Sequence, residues 1–290
     1  PMKTLLRDVG GTFIKGSDGR EIPIRSDGSR EEISSSFAEA VGAFCNKDSC
    51  VNDAETASGN RQRDCEIAVA IPGPFDYERG IFLMKHKFFA VYGMSFREVA
   101  GVPSCVRLLF THDVNVMLAG EMFYGNGRGY SRVALVALGT GLGFAMSIDG
   151  RILKKATGSP LISIFGLPYR DGILEDYASK RGFLGTFKAL GGQGAATVKD
   201  IAEFAGGGDK VALETFRTIG STIARTISPI LKEYGIECLL FGGQISRSFR
   251  FLEPALREGL SGVESLVDIS QVSNFDNATF NGLRALLRQE

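Results

Sequence analysis

TLLRDVGGTFIKGSDGR, residues 4–20, and VALVALGTGLGFAMSIDGR, residues 133–151, are two copies of one pattern. In each, an apolar run with strand character ends in a glycine–threonine turn. A second apolar run follows, then Asp-Gly, the usual two-residue hairpin signal, and an Arg that starts a third run. Glycines let backbone N–H groups approach a bound anion, and the Thr hydroxyl adds a donor. Each turn is therefore a candidate phosphate cradle between two strands. A lone turn of this kind is more often only a tight hairpin, but two copies with the same downstream Asp-Gly-Arg favour one nucleotide gripped between two duplicated domains.

The whole chain is consistent with that duplication. Its 290 residues suit about two domains, and a hydrophobic content of 44% supplies sizeable cores. Lys plus Arg equals Asp plus Glu at 33 each, so no net field recruits nucleic acid or an anionic membrane, and binding must come from local sites. No apolar run approaches a membrane span, and the first residues lack a basic-then-apolar leader, so a cytoplasmic location is expected. Cys45, Cys50, Cys65, Cys105 and Cys238 are odd in number and scattered, and read as ordinary reduced residues and not as a disulfide frame or zinc knot.

Beyond the first copy, Ile33, Phe37, Ala40, Val41 and Phe44 share a helical face over Arg30 to Cys45, followed by a polar stretch to Asp64. Cys65 to Ile71 reads as a buried strand. It ends in Pro72-Gly73-Pro74, a rigid turn at the strand's C-terminal end, where open α/β sheets place ligands. The mixed apolar and basic stretch from Gly80 to Gly101 matches no single periodicity. Val106 to Phe110 is a strand ending at Thr111-His112-Asp113, and Val114, Met117, Leu118 and Met122 then give a helical stripe.

After the second copy, GILEDYASKRG (residues 172–182) reads as a short helix, and Thr197 with Asp200 caps another as a box. Asp209 to Tyr234 is the longest helix, with Pro229 inside it. Cys238 to Phe241 is a strand opening into Gly242-Gly243-Gln244-Ile245-Ser246, a third glycine turn. A strand near Leu266 to Ser270 and a helix from Asp276 onward complete two similar α/β domains with a cleft between them.

DVGGT, PGP, HDVN with Glu121 downstream, GTGLG, LEDYAS and LFGGQIS, in this order, make the chain resemble the ROK family of sugar kinases, within the actin-like ATPase superfamily. The resemblance covers nearly the whole length. It implies two actin-like (ribonuclease H-like) α/β domains: a smaller one from residues 1–114 plus about 276–290, and a larger one from 115–275. It further implies that Asp8, Gly10, Gly11 and Thr12, together with Gly139, Thr140 and Gly141, hold ATP phosphates and Mg²⁺, with Lys15 beside them, and that Gly242 and Gly243 approach the adenosine end. Asp113 matches the catalytic base, Asn115 and Glu121 match later positions of that motif, and Glu175 matches a sugar-binding Glu. A homodimer is compatible with the family.

Three departures stand beside these matches. The Asn that precedes the base is His112 here. The family's G-E-x-G-H segment falls on Gly158 to Ile164, without its carboxylate or histidine. The zinc-binding cysteines expected before Leu174-Glu175 are missing, so no structural zinc is expected. ATP handling reads as intact and the acceptor side as remodelled. Family members that repress transcription carry an N-terminal helix-turn-helix, whereas this chain starts on a strand.

Phosphoryl transfer needs an acceptor hydroxyl in line with the γ-phosphate, a carboxylate to take its proton, Mg²⁺, and donors around the phosphates. Asp113 suits the second role, although an Asp at a strand-to-helix junction is often only an N-cap. Asp8 is the candidate for the Mg²⁺ water shell, with pairing to Arg7 or Lys15 as the plain alternative. His86 reads as structural, and His112 and Gly73 as acceptor-side residues. Lys85 and Lys87 read as a solvated basic face that could also reach an acceptor. GTGLGF is not a dinucleotide fingerprint: it lacks the third spaced glycine, a strand follows it, and no acid lies about 20 residues on. The expectation is an ATP-dependent kinase of a sugar or sugar-like polyol. Its rival is a sugar-binding or regulatory pseudokinase of the same fold.

Overall fold

The structure is a computed structural model that describes residues 3–42 and 65–289. Phe44, Cys45, Cys50 and the polar stretch to Asp64 lie outside the described residues. The chain divides into two compact units, the first comprising Pro1–Val116, Lys154–Ser159 and Thr279–Glu290, the second Met117–Leu153 and Pro160–Ala278.

In unit 1 the order is β1 (Lys3–Val9), β2 (Phe13–Gly16), β3 (Glu21–Pro23), α1 (Arg30–Val41), β4 (Cys65–Ala70), β5 (Phe75–Asp76), β6 (Ile81–Phe82), α2 (Phe96–Ala100) and β7 (Arg107–Thr111). Helix α3 (Asp113–Tyr124) leads into unit 2, which continues with β8 (Arg132–Leu138), β9 (Leu142–Ile148), β10 (Arg151–Ile152), β11 (Pro168–Tyr169) and β12 (Gly172–Ile173). Then follow α4 (Leu174–Ala178), α5 (Lys180–Ala189), α6 (Val198–Gly206), α7 (Lys210–Tyr234), β13 (Cys238–Gly242), α8 (Phe249–Leu260) and β14 (Asp268–Gln271). Helix α9 (Ala278–Gln289) belongs, from Thr279, to unit 1.

The duplication is carried by the sheets. Unit 1 has the strand order β3-β2-β1-β4-β7 and unit 2 the order β10-β9-β8-β13-β14. In both, the first three strands are an antiparallel meander and the last two run parallel to its first strand. Central β4 and β13 are buried along their whole length, as parallel strands covered on both faces must be. The Asp-Gly turns differ. Asp149 (φ 50°) and Gly150 (φ 78°) form a two-residue turn between paired Ile148 and Arg151, with the two positive φ angles that a type I′ turn requires. In the first copy Lys15 pairs with Glu21 and residues 16–20 form a wider loop, closed by Gly16 N–H donating to Arg20 O.

Helix boundaries follow local chemistry. Ser29 with Glu32, Ser95 with Glu98 and Thr197 with Asp200 close reciprocal boxes at the starts of α1, α2 and α6. Asp209 caps α7, which ends on Gly235 in the left-handed conformation. Phe37, Phe75, Phe82, Phe88 and Phe96 interlock in the core of unit 1. In unit 2, Phe216, Ile219, Ile223, Ile227 and Leu231 of α7 share one core with Val136, Phe144 and Phe241 of the sheet.

Two expectations are corrected. GILEDYASKRG is not one helix. Gly172–Ile173 pairs with Pro168–Tyr169 as a hairpin, and the helical part breaks at Ser179, whose backbone is extended. Lys180 N–H donates to Gly139 O at that break, which ties the segment to the second glycine turn. Among the cysteines, Cys65 and Cys238 are free and buried, but Cys105 is disulfide-bonded, so the reading of all five as reduced fails there.

Candidate active site

One group of candidate residues lies in unit 1. Ala70 pairs with both Asp8 and Thr111, so β4 brings the ends of β1 and β7 to one sheet edge, with Asp8 on one side and His112-Asp113 on the other. Asp113 is the first residue of α3, and the capping position belongs to His112, whose carbonyl accepts Val116 N–H at 3.0 Å. The N-cap alternative for Asp113 therefore falls to its neighbour. Asp113 Oδ1 accepts Val114 N–H at 2.7 Å and lies 2.7 Å from His112 Nδ1, with 55% of the side chain exposed. Desolvation acts against its charge. The His112 charge and hydrogen bond, the Val114 N–H and Lys87 outweigh that and hold the carboxyl below the usual carboxylate range.

Asp8 is in the opposite condition. Burial first, and then the charge of Asp113, push its carboxyl up to about 6, against the pull of Lys15 and a hydrogen bond from Thr279. The plain alternatives do not absorb it: Arg7 bonds Asp18 and Ala40 O, and the Lys15 ammonium pairs with Glu21 at 3.7 Å. A carboxyl that resists ionisation beside a second carboxylate is one whose charge a hard dication would stabilise. Among the described residues no group of three or more His, Cys, Asp or Glu is placed to hold a metal.

Gly10 N–H closes the turn onto Phe13 O at 2.9 Å, while Gly11 and Thr12 donate no hydrogen bond among the described residues. Those two N–H groups are not used within the turn. At Gly73 a Cβ would lie 3.2 Å from Tyr77 Oη and 3.5 Å from the His112 ring. Its bare backbone lets that ring sit edge-on to Tyr77, whose hydroxyl donates to Ile71 O. Burial and then the Asp113 charge push the Tyr77 hydroxyl far up, so it stays protonated and neutral. Asn115 donates to Gly158 O, leaving its buried Oδ1 without a partner.

A separate group of candidate residues lies in unit 2. Gly139 N–H donates to Gly141 O, and the N–H groups of Thr140 and Gly141 donate no hydrogen bond among the described residues. Glu175 stands at this turn, where Oε2 accepts Leu142 N–H at 3.0 Å and Oε1 meets Arg181 at 3.2 Å. A Cβ on Gly141 would lie 3.0 Å from Oε2. The carboxylate thus braces the cradle within unit 2.

Gly242 and Gly243 have packing reasons of their own. A Cβ on the first would meet Met117 Sδ at 2.3 Å, and on the second, at φ 81°, Leu138 O at 2.3 Å. Glu121 is buried, accepting from Ser273 N–H and Oγ and from Asn126 N–H. Before Leu174, the β11–β12 hairpin is clamped by Arg170 over the rings of Tyr169 and Tyr177, 5.5 Å from each, and by the Tyr177 hydroxyl on Asp171. Sequence reading passed over Arg181, Tyr77 and the inward position of Lys87. Of these, Arg181 carried a readable signal, standing inside the quoted LEDYASKRG.

A sequence model of the ROK family matches residues 47–160 and 168–289. The chain is 25% identical over 214 residues to a glucokinase of Thermotoga maritima, covering 66% of this chain and 68% of that protein. It is 24% identical over 218 residues to the DNA-binding transcriptional repressor Mlc of Escherichia coli, covering 69% of this chain and 53% of the repressor. Its fold matches the crystal structure of a ROK family glucokinase from Streptomyces griseus in complex with glucose and AMPPNP, with a TM-score of 0.72, 21% identity and 99% of each chain covered. Duplicated sheets, the paired glycine turns and a family match over most of the sequence converge on one statement: this chain belongs to the ROK family, in its two-domain actin-like α/β fold.

Proposed function

We propose that this protein is an ATP-dependent kinase of a sugar or sugar-like polyol. The observation that carries the reading is Asp113, held ionised by His112, the Val114 N–H and Lys87 beside an Asp8 whose carboxyl burial and the Asp113 charge push up to about 6 despite the pull of Lys15. The acceptor hydroxyl oxygen forms a bond to the γ-phosphorus as the bond to the β,γ-bridging oxygen breaks, and ADP leaves with that electron pair. Asp113 receives the hydroxyl proton, with no covalent enzyme intermediate. Asp8 would hold Mg²⁺ through its water shell, and the metal would neutralise charge on the phosphates. The free N–H groups of Gly11, Thr12, Thr140 and Gly141 are assigned to phosphate oxygens. His112 and Gly73 are assigned to the acceptor. Among the described residues no helix is long and apolar enough to cross a membrane, which is compatible with a cytoplasmic enzyme.

A second reading, a sugar-binding or regulatory pseudokinase, is favoured by two observations. Glu175, the carboxylate assigned to the sugar, is engaged by Leu142 N–H and Arg181, and the matched relatives include a transcriptional repressor. Measuring ATP consumption against hexoses, amino sugars and polyols separates the two. Turnover with at least one acceptor is the expected result. Calorimetric binding of a sugar with no turnover across the panel would establish the pseudokinase.

A further inference from the structure

Lys85, His86 and Lys87 follow one another in sequence but do not share a surroundings. Lys85 is exposed and lies over the Tyr92 ring, 5.6 Å from its centroid, and His86 is exposed. Lys87 is half-buried and turned toward the first glycine turn, where a Cβ built on Gly11 would lie 3.5 Å from its Nζ and 3.7 Å from its Cε. The Ser26 hydroxyl stands 3.8 Å from the same point. Its charge also reaches Asp113. Among the described residues Lys87 forms no ion pair.

The next residue explains how the side chain is held there. Phe88 has φ 53° and ψ 28°, the left-handed region that a bulky side chain rarely enters. Its ring is buried against Phe37 and Phe82 at 5.7 and 5.8 Å, and its N–H donates to Ser26 O at 2.6 Å. A conformation that is locally unfavourable and held by surrounding packing fits a functional constraint better than a solvated loop. It turns the chain so that Lys87 points inward while Lys85 and His86 face solvent.

We propose that Lys87 is a catalytic residue, the cation that contacts the terminal phosphoryl group of the nucleotide between the Gly11 turn and Asp113. The assignment rests on the kinase reading for its reaction but not for its binding test. An ammonium there neutralises charge on the phosphoryl oxygens as they pass to the acceptor. The same cation could instead read a carboxylate on an acidic acceptor, and the experiment separates these sources.

Binding of Mg-AMPPNP, Mg-ADP and glucuronate is measured by calorimetry on wild type, Lys87→Met, Lys87→Arg and the control Lys85→Met, each checked for an unchanged melting temperature. Removing a charged hydrogen bond should weaken AMPPNP by about tenfold to a hundredfold in Lys87→Met. ADP affinity should hold, Lys87→Arg should recover part of the loss, and Lys85→Met should change neither. Equal loss for both nucleotides, no loss, or the same loss in Lys85→Met overturns the proposal. So does a Lys87→Met variant that loses only glucuronate binding, which would put the anion on the acceptor. Failure of wild type to bind either nucleotide overturns this proposal together with the kinase reading. A selective AMPPNP loss in a protein that phosphorylates no acceptor keeps Lys87 as the cation on the terminal phosphoryl group and overturns its catalytic role together with the kinase reading.

Discussion

The turns at Gly10–Thr12 and Gly139–Gly141 stand on sheets of the same strand order, yet the carboxylates beside them are in opposite states. In unit 2, Glu175 is bonded by Leu142 N–H and by Arg181, so its charge is spent on holding the turn. In unit 1, Asp8 is pushed up to about 6 by burial and by Asp113, while Asp113 is kept ionised by His112 and its neighbours. Duplication copied the frame and not the chemistry. Unsatisfied charge is concentrated in one copy, which is where reaction chemistry is expected to act.

The strongest way to break this contrast is Asp113→Asn, which preserves size and polarity but removes the proton acceptor. Turnover is expected to fall by roughly 10²–10⁴ with nucleotide binding near wild type, and unchanged steady-state rates would return the unit 1 carboxylates to structural roles. Asp8→Asn tests the electrostatics directly. A carboxyl at about 6 in the folded chain and 3.8 unfolded makes the folded state bind more protons between those values. Stability therefore falls as pH rises from about 4 to 6 and stays lower above. The Asn variant should be more stable by on the order of 2–3 kcal/mol at pH 8 and equal to wild type at pH 4 in urea melts. A gain that did not vary with pH would sink the assignment.

Gly139→Val probes the other turn. A Cβ there meets nothing within 4 Å, so a nucleotide-affinity loss of roughly tenfold with an unaltered melting temperature would report a phosphate and not the fold. Gly141→Val is a poorer probe, because its Cβ would crowd Glu175 in the free protein. The smallest effect is expected from zinc removal. The Arg170 contacts and the β11–β12 hairpin tie down the segment before Leu174, where no structural zinc is expected, so chelator treatment should leave the melting temperature unmoved, and stoichiometric retained zinc would refute this.

The fold was legible because it is written in local patterns: a repeated strand–turn–strand, the boxes at Thr197-Asp200, the apolar stripe of α7. Ser95 and Glu98 form the same kind of box inside the stretch from Gly80 to Gly101 and could have been read there. What was not legible depends on tertiary neighbours. The raised carboxyl of Asp8 follows first from its burial and then from Asp113 arriving across β4, over a hundred positions along the chain. The break at Ser179 follows from Lys180 N–H finding Gly139 O. Assigning Glu175 from a motif could not show that Leu142 N–H and Arg181 engage its oxygens.

Helix α9 gives unit 1 an unusual schedule of assembly. Leu6, Ala68, Ala70, Val116 and Leu283 share one buried cluster, and a Cβ on Gly282 would sit 1.7 Å from Val116 O, so the helix lies directly on the start of α3. During synthesis the first strands emerge early, but the layer covering this face of their sheet leaves the ribosome only after the whole of unit 2. Unit 2 can close while unit 1 still shows apolar surface, which makes unit 1 the part of the two most in need of chaperone protection during synthesis.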